Sequence, residues 1–153
     1  AGGEIQCDLV LVGIGADAQE TAQLRPVETL RTVIAQVKEL DAGESVSYGR
    51  KALLAAPARI AVLPIGYADG LSRRLGEGRG RVWVHGQQAK TVGTICMDMC
   101  MVDVTRIPCA PGDEAIVFSP QHPLQDYARD LGTIPYEALT SISPRVKRVF
   151  VRE

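Results

Sequence analysis

No stretch of this sequence approaches the roughly 20 consecutive apolar residues that a helix needs to cross a bilayer, which excludes a helical membrane span as its organising element. The opening, AGGEIQCDLVLVGIG, has no basic run ahead of its apolar one, so it does not read as a secretory signal. A soluble protein of the cytoplasm is expected. Charge of one sign is missing too: 17 Lys and Arg against 18 Asp and Glu leave a net charge of -1, too little to draw the chain to nucleic acid or an acidic membrane. Neither partner is expected. The four cysteines, Cys7, Cys96, Cys100 and Cys109, form no C-x-x-C pair and are joined by only 2 histidines, so the usual zinc spacing is absent and no metal is expected. Cys96 and Cys100, four apart in an apolar stretch, read as thiols on one face of a strand, packed as small hydrophobes in a reducing compartment. There is no G-x-x-x-x-G-K-[ST] and no G-x-S-x-G, and VGIGAD has two of the three glycines of a dinucleotide fingerprint with no helix after it.

What is present suits one compact domain. With 153 residues, 46% hydrophobic and 23% charged, the chain can bury a core and has the composition of an ordinary globular protein. CDLVLVGIG reads as a strand buried on both faces, followed by the polar linker-like ADAQETAQLRP. VETLRTVIAQVKEL, residues 27–40, fits a helix by propensity and a strand by an imperfect alternation. Short β-rich pieces then recur, SVSYG, RIAVLPIGY, RVWVHG, KTVGTICMDMCMVDV and DEAIVFS, punctuated by glycine and proline as in a sandwich or barrel. Arg73, Arg74, Arg79 and Arg81 read as a solvated hairpin rim. Pro123 and Gly132 bracket one short helix and Pro135 opens another, before a last strand RVKRVFV. The fold expected is mainly β, a barrel-like or Greek-key domain with two short helices near the C-terminus.

Three strand-end stretches carry chemistry-bearing residues: SYGR at residues 47–50, IGYADGLSRR at 65–74 and ICMDMCM at 95–101. Tyr48 and Tyr67 can be rim tyrosines with hydrogen-bonded hydroxyls, Asp69-Gly70 is a strong turn dipeptide, and the methionines can fill core gaps. Asp98 fits less easily. On one strand it would share a face with Cys96 and Cys100, and a carboxylate among apolar neighbours costs free energy unless paired. These residues leave structural and functional readings evenly matched.

Taken with PGDEAIVF and SPRVKRVFV, in this order and spacing, the three stretches resemble the C-terminal domain of bacterial alanine racemase, a pyridoxal phosphate enzyme. The resemblance runs from about Arg25 to the end, and VGIG resembles the last phosphate-contacting strand of that family's N-terminal barrel. It implies residues 1–22 as the remnant of that barrel strand plus linker and 23–153 as the β domain, and it favours strand for residues 27–40. It also implies Tyr48 as one of two bases on opposite faces of an amino-acid Cα, the other being a barrel lysine. A free phenol has a pKa of about 10, so work as a base near neutral pH asks for a cationic or hydrogen-bonding neighbour. The Met97 amide and Tyr67 are implied as substrate-binding, Asp98 and Arg73 as supporting, and Gly13 and Ile14 as contacts of the cofactor phosphate. Alanine as substrate, the barrel domain as partner and a homodimer follow from the same resemblance.

Departures from the family pattern stand beside it. None of Lys38, Lys51, Lys90 or Lys147 lies in the lysine motif that holds the cofactor, and Leu11 stands where an arginine is usual. Ala16 and Asp17 replace an apolar-aromatic pair, and Pro144 stands where some members have a tyrosine. The chain then reads as a domain of a larger racemase, inactive alone. The alternative is a non-catalytic β module for binding or assembly.

Overall fold

The structure, a computed structural model, describes residues 4–6, 28–50 and 52–150. In chain order the strands are β1 (Glu4–Gln6), β2 (Thr29–Val33), β3 (Gln36–Leu40), β4 (Ser45–Val46), β5 (Ala52–Leu53), β6 (Ala58–Leu63), β7 (Arg81–Val84), β8 (Gln87–Lys90), β9 (Cys100–Asp103), β10 (Glu114–Phe118) and β11 (Lys147–Val149). The helices are α1 (Leu124–Leu131) and α2 (Pro135–Thr140). A six-stranded sheet runs in the order β11-β1-β2-β10-β7-β8, a three-stranded sheet β3-β6-β9, and a two-stranded ribbon β4-β5. The β1-β11 pair is parallel and the other pairs are antiparallel. The expected mainly β domain with two late helices is therefore found, as open sheets rather than a closed barrel among the described residues.

The imperfect alternation of residues 27–40 has a simple cause. Leu30, Thr32 and Ile34 are buried on one face, while after the corner at Ala35 the inward position shifts to Val37. At that corner the chain changes sheets: Ile34 N–H donates to the Asp113 carbonyl at 2.8 Å and Ala35 N–H to the Val62 carbonyl at 2.9 Å. A one-residue change of parity at a sheet switch scrambles both a period of 2 and a period of 3.6.

Local signals survive better. Pro123 occupies the N-cap of α1 and Gly132 its C-cap in left-handed backbone, while Pro135 is the first residue of α2. β7 and β8 form a hairpin with register Arg81↔Lys90 to Val84↔Gln87. Arg81 leaves the solvated rim expected of it. Its guanidinium donates twice to Asp130 of α1, at 2.6 and 2.7 Å, and so ties the helix to the hairpin.

The sheets and helices enclose one main core that includes Leu30, Leu63, Val84, Val102, Phe118 and Tyr127. A second, smaller cluster of Val46, Ile60, Cys96 and Met101, flanked by Leu40 and Val62, lies under the β4-β5 ribbon. That satellite core underlies the candidate site.

Candidate active site

β4 stops at Val46 and the chain then turns sharply. Ser47, Gly49 and Arg50 have φ of 72, 72 and 52°, so Tyr48 sits inside left-handed backbone. For a residue other than glycine that conformation costs roughly 1–2 kcal/mol, and something must hold it. The Ser47 hydroxyl does so reciprocally. It accepts the Thr94 N–H at 3.1 Å and donates to the Thr94 carbonyl at 3.0 Å. Gly93 lets the turn come this close, because a Cβ there would lie 2.6 Å from the Ser47 Cβ. The Tyr48 ring is 76% exposed. It stands at the lip of an open hollow of about 290 Å³ whose walls include Leu40, Val46, Ile60, Cys96, Met99 and Met101, so the hollow's floor is the satellite core.

A second wall is built from three separated segments. Tyr67 N–H donates to the Cys96 carbonyl and Ala68 N–H to the Met97 carbonyl, each at 3.0 Å. The approach is so close that a Cβ on Gly66 would sit 2.4 Å from both carbonyl oxygens, so only glycine fits. The 3₁₀ turn Tyr67–Asp69 directs the Asp69 side chain inward, where it is 1% exposed. Its Oδ2 accepts the Gly66 N–H at 2.8 Å and its Oδ1 accepts the Arg145 Nε–H at 2.6 Å. The same guanidinium donates from Nη2 to Asp98 Oδ1 at 2.5 Å, and Ser143 N–H donates to the Asp69 carbonyl at 3.0 Å. Hydrogen bonding to Asp69, then to Asp98, pushes the Arg145 pKa above its ordinary value. Arg145 is a fixed cation that joins residues 66–70, 96–98 and 143–145. On this second wall, the Met97 N–H has no acceptor among the described residues, and Met97 is about half exposed.

Residues 96–99 are the common neighbour of Tyr48, which shares the hollow with Cys96 and Met99, and of Tyr67, which binds the Cys96 carbonyl. The structure thus gathers Tyr48, Tyr67, Met97 and Asp98 around one loop. Arg73 is not brought there by any side-chain contact. It is exposed, on the 3₁₀ turn Arg73–Leu75, and lines a separate open hollow with Arg74, Arg79 and Thr94. Gly13 and Ile14 lie outside the described residues, as do Leu11, Ala16, Asp17 and Lys51.

The single strand expected across Cys96, Asp98 and Cys100 is not formed. β9 begins at Cys100, and residues 96–99 turn, with Cys96 N–H donating to the Met99 carbonyl at 2.9 Å. The carbonyls of residues 96 and 97 are taken by the loop at 67–68, so this stretch cannot pair as a strand. Cys100 joins the main core, where burial pushes its thiol up to about 12, and Cys96 joins the satellite core. Asp98 points out, 56% exposed, onto Arg145. The buried carboxylate is Asp69, read from the sequence as a turn residue. Ser47, Thr94 and Arg145 also escaped sequence reasoning. The only signal for Arg145 was its place in SPRVKR, and its partner Asp69 lies 76 positions away.

A family model described as "Alanine racemase, C-terminal domain" matches residues 27–150. An alanine racemase of Clostridium perfringens (strain SM101 / Type A) is 43% identical over 154 residues, covering 95% of this chain and 40% of that protein. One from Desulfovibrio desulfuricans is 40% identical over 151 residues, covering 96% of this chain and 40% of that protein. Among solved structures, alanine racemase from D-cycloserine producing Streptomyces lavendulae superposes with a TM-score of 0.81 at 36% identity, over 92% of this chain and 39% of that one. Alanine racemase from Bartonella henselae, solved with covalently bound pyridoxal phosphate, gives 0.78 at 35% identity, over 82% and 35%. The chain spans about 40% of the length of the curated relatives it matches. By sequence and by fold, the chain belongs to the alanine racemase family, as its C-terminal domain.

Proposed function

We propose that this domain supplies one of two proton-transfer groups, Tyr48, to a pyridoxal phosphate-dependent racemase that interconverts L- and D-alanine. The observation that carries the reading is the exposed Tyr48 phenol beside the 96–99 loop, whose Met97 N–H has no acceptor among the described residues. Racemisation needs a proton removed from Cα on one face and one delivered on the other, and a phenol held at a rim can serve one face. The Met97 N–H is suited to the substrate carboxylate, since a fixed amide donor binds and orients an anion without bringing a counter-charge. Tyr67, about 40% exposed and held through its backbone to Cys96, flanks the approach, and Asp98 with Arg145 holds the Met97 loop in place. Arg73 lies farther out and supports the approach by its charge.

These residues fit one face of the substrate on its cofactor and not the cofactor's attachment. Pyridoxal phosphate, when bound, supplies the electron sink for the pair left on Cα. Its lysine belongs to a barrel domain, with Gly13 and Ile14 as contacts of its phosphate within residues 1–22, the remnant of that barrel's last strand plus linker, ahead of the β domain at 23–153. An exposed Tyr48 that faces out of its own domain favours a homodimer, in which the phenol reaches the barrel of the second copy. The reading places the enzyme in the cytoplasm.

In the racemase that carries this domain, Tyr48→Phe is expected to abolish solvent deuterium exchange at Cα of L-alanine while D-alanine still exchanges. Unchanged exchange of the L-isomer would remove Tyr48 from the reaction.

A further inference from the structure

We infer that Ser47 is a positioning residue for Tyr48: its hydroxyl ties the tyrosine-bearing turn to Thr94, three residues before Met97, so that the phenol and the Met97 amide share one frame. The inference rests on the reading of Tyr48 as a proton-transfer group. Its basis is geometric. Tyr48 follows a two-residue strand whose only ladder partner among the described residues is the equally short β5, and it lies mostly in solvent. Packing of the ring itself therefore cannot fix the phenol. The backbone on either side is in left-handed conformation at Ser47, Gly49 and Arg50, a shape the sequence does not favour unaided at 47 or 50.

Two bonds oppose that tendency, and they use both capacities of a single hydroxyl. Ser47 Oγ accepts from the Thr94 N–H and donates to the Thr94 carbonyl, so Thr94 is held through its donor and its acceptor at once. Gly93 completes the lock by leaving out the side chain that would strike Ser47. The far end of the segment leads through Ile95 and Cys96 to Met97. Without the tether, the 46–50 turn is free to relax toward ordinary backbone, which re-aims Tyr48 relative to the substrate while the Gly66, Asp69 and Arg145 contacts of the other wall remain.

The test uses Ser47→Ala and Ser47→Gly beside Tyr48→Phe in the racemase that carries this domain. Exchange at Cα of each isomer, KM and the thermal midpoint are measured for each. Ser47→Ala is expected to slow exchange of L-alanine roughly ten- to a hundredfold, as for a reacting group misplaced by about 1 Å. Exchange of D-alanine and KM should stay within about twofold, since the Met97 wall is intact. Ser47→Gly relieves the strained φ and so keeps a folded test in hand; it should show the same one-sided loss, because glycine without the tether is free to leave the one conformation that aims Tyr48. Equal slowing for both isomers, or a change in thermal midpoint alone, would overturn the inference, as would a Gly variant with full L-side exchange. If Tyr48→Phe is silent, the functional reading falls and takes the inference with it. If Tyr48→Phe is one-sided and both Ser47 variants are silent, the positioning role alone is lost.

Discussion

The two walls of the candidate site are held by different means. Residues 46–50 hang over a small satellite core from one serine's pair of hydrogen bonds, with the Tyr48 ring in solvent. Residues 66–70 and 96–98 are joined by main-chain hydrogen bonds, by the buried carboxylate of Asp69 and by an arginine that reaches both segments. Local stability in a protein follows the density of such contacts. The Gly66–Asp69 wall is over-determined, whereas the wall that carries the phenol rests on the short β4-β5 ribbon, the buried Val46, one bond from Arg50 Nε to Ser45 Oγ at 3.3 Å and the Ser47 pair to Thr94. On the proposed reading, an amide that binds a carboxylate would gain from rigidity, whereas a phenol that serves another domain would need exposure, and exposure removes the packing that would hold it.

The largest effect should come from attacking the rigid wall at its closest approach. Gly66→Ala puts a Cβ 2.4 Å from the Cys96 and Met97 carbonyl oxygens, so a loss of about 3 kcal/mol or more is expected from overpacking and separation of the two loops. Chemical denaturation checks it, and a loss below about 1 kcal/mol would show this wall to be as yielding as the other. Asp69→Asn comes next. It keeps the volume but leaves Arg145 facing a neutral amide, and a loss of about 1–3 kcal/mol is expected, chiefly from the buried hydrogen bonds because Arg145 is 47% exposed. In the racemase, KM should rise more than kcat falls, the reverse of the pattern expected at Ser47. Tyr48→Phe should leave the thermal midpoint unmoved, since an exposed hydroxyl contributes within about 0.5 kcal/mol.

The smallest effect lies away from both walls and serves as their control. Trp83, the only tryptophan, stacks on His122 with centroids 3.8 Å apart and planes 13° from parallel. Burial, then the nearby Arg81 charge, lowers the His122 pKa below the ordinary 6.5. Folding therefore favours the neutral ring. This contribution to stability is complete above the unfolded value and is lost as pH falls from about 6.5 through the folded pKa. Tryptophan fluorescence should report a midpoint below 6.5. The same midpoint in Ser47→Ala would show that the tether acts only on its own wall; a shifted one would show that the two regions are coupled.

Much of the fold was legible because its signals are local. Pro123, Gly132 and Pro135 act within one helical turn, and residues 87–90 pair with 81–84 across a two-residue turn. The corner at Ile34 and Ala35 was not legible, because burial parity changes there for a partner strand that lies elsewhere in the chain. In the site, Tyr48, Tyr67 and Met97 stood out through the resemblance of their motifs. Asp98 is the exception. A strand would bury it beside Cys96 and Cys100, whereas the carbonyls of residues 96 and 97 are taken by Tyr67 and Ala68 and the loop turns Asp98 outward.

By itself the sequence determined the class of domain, the bounds of its first helix and the start of its second, since each follows from residues adjacent along the chain. Tertiary structure alone decided which carboxylate is buried, which arginine answers it and what holds the tyrosine. Asp69 with Arg145, and Ser47 with Thr94, are separated by 76 and 47 positions. Contacts at that distance leave no periodicity to read, and they exist only once the sheets have brought the loops together.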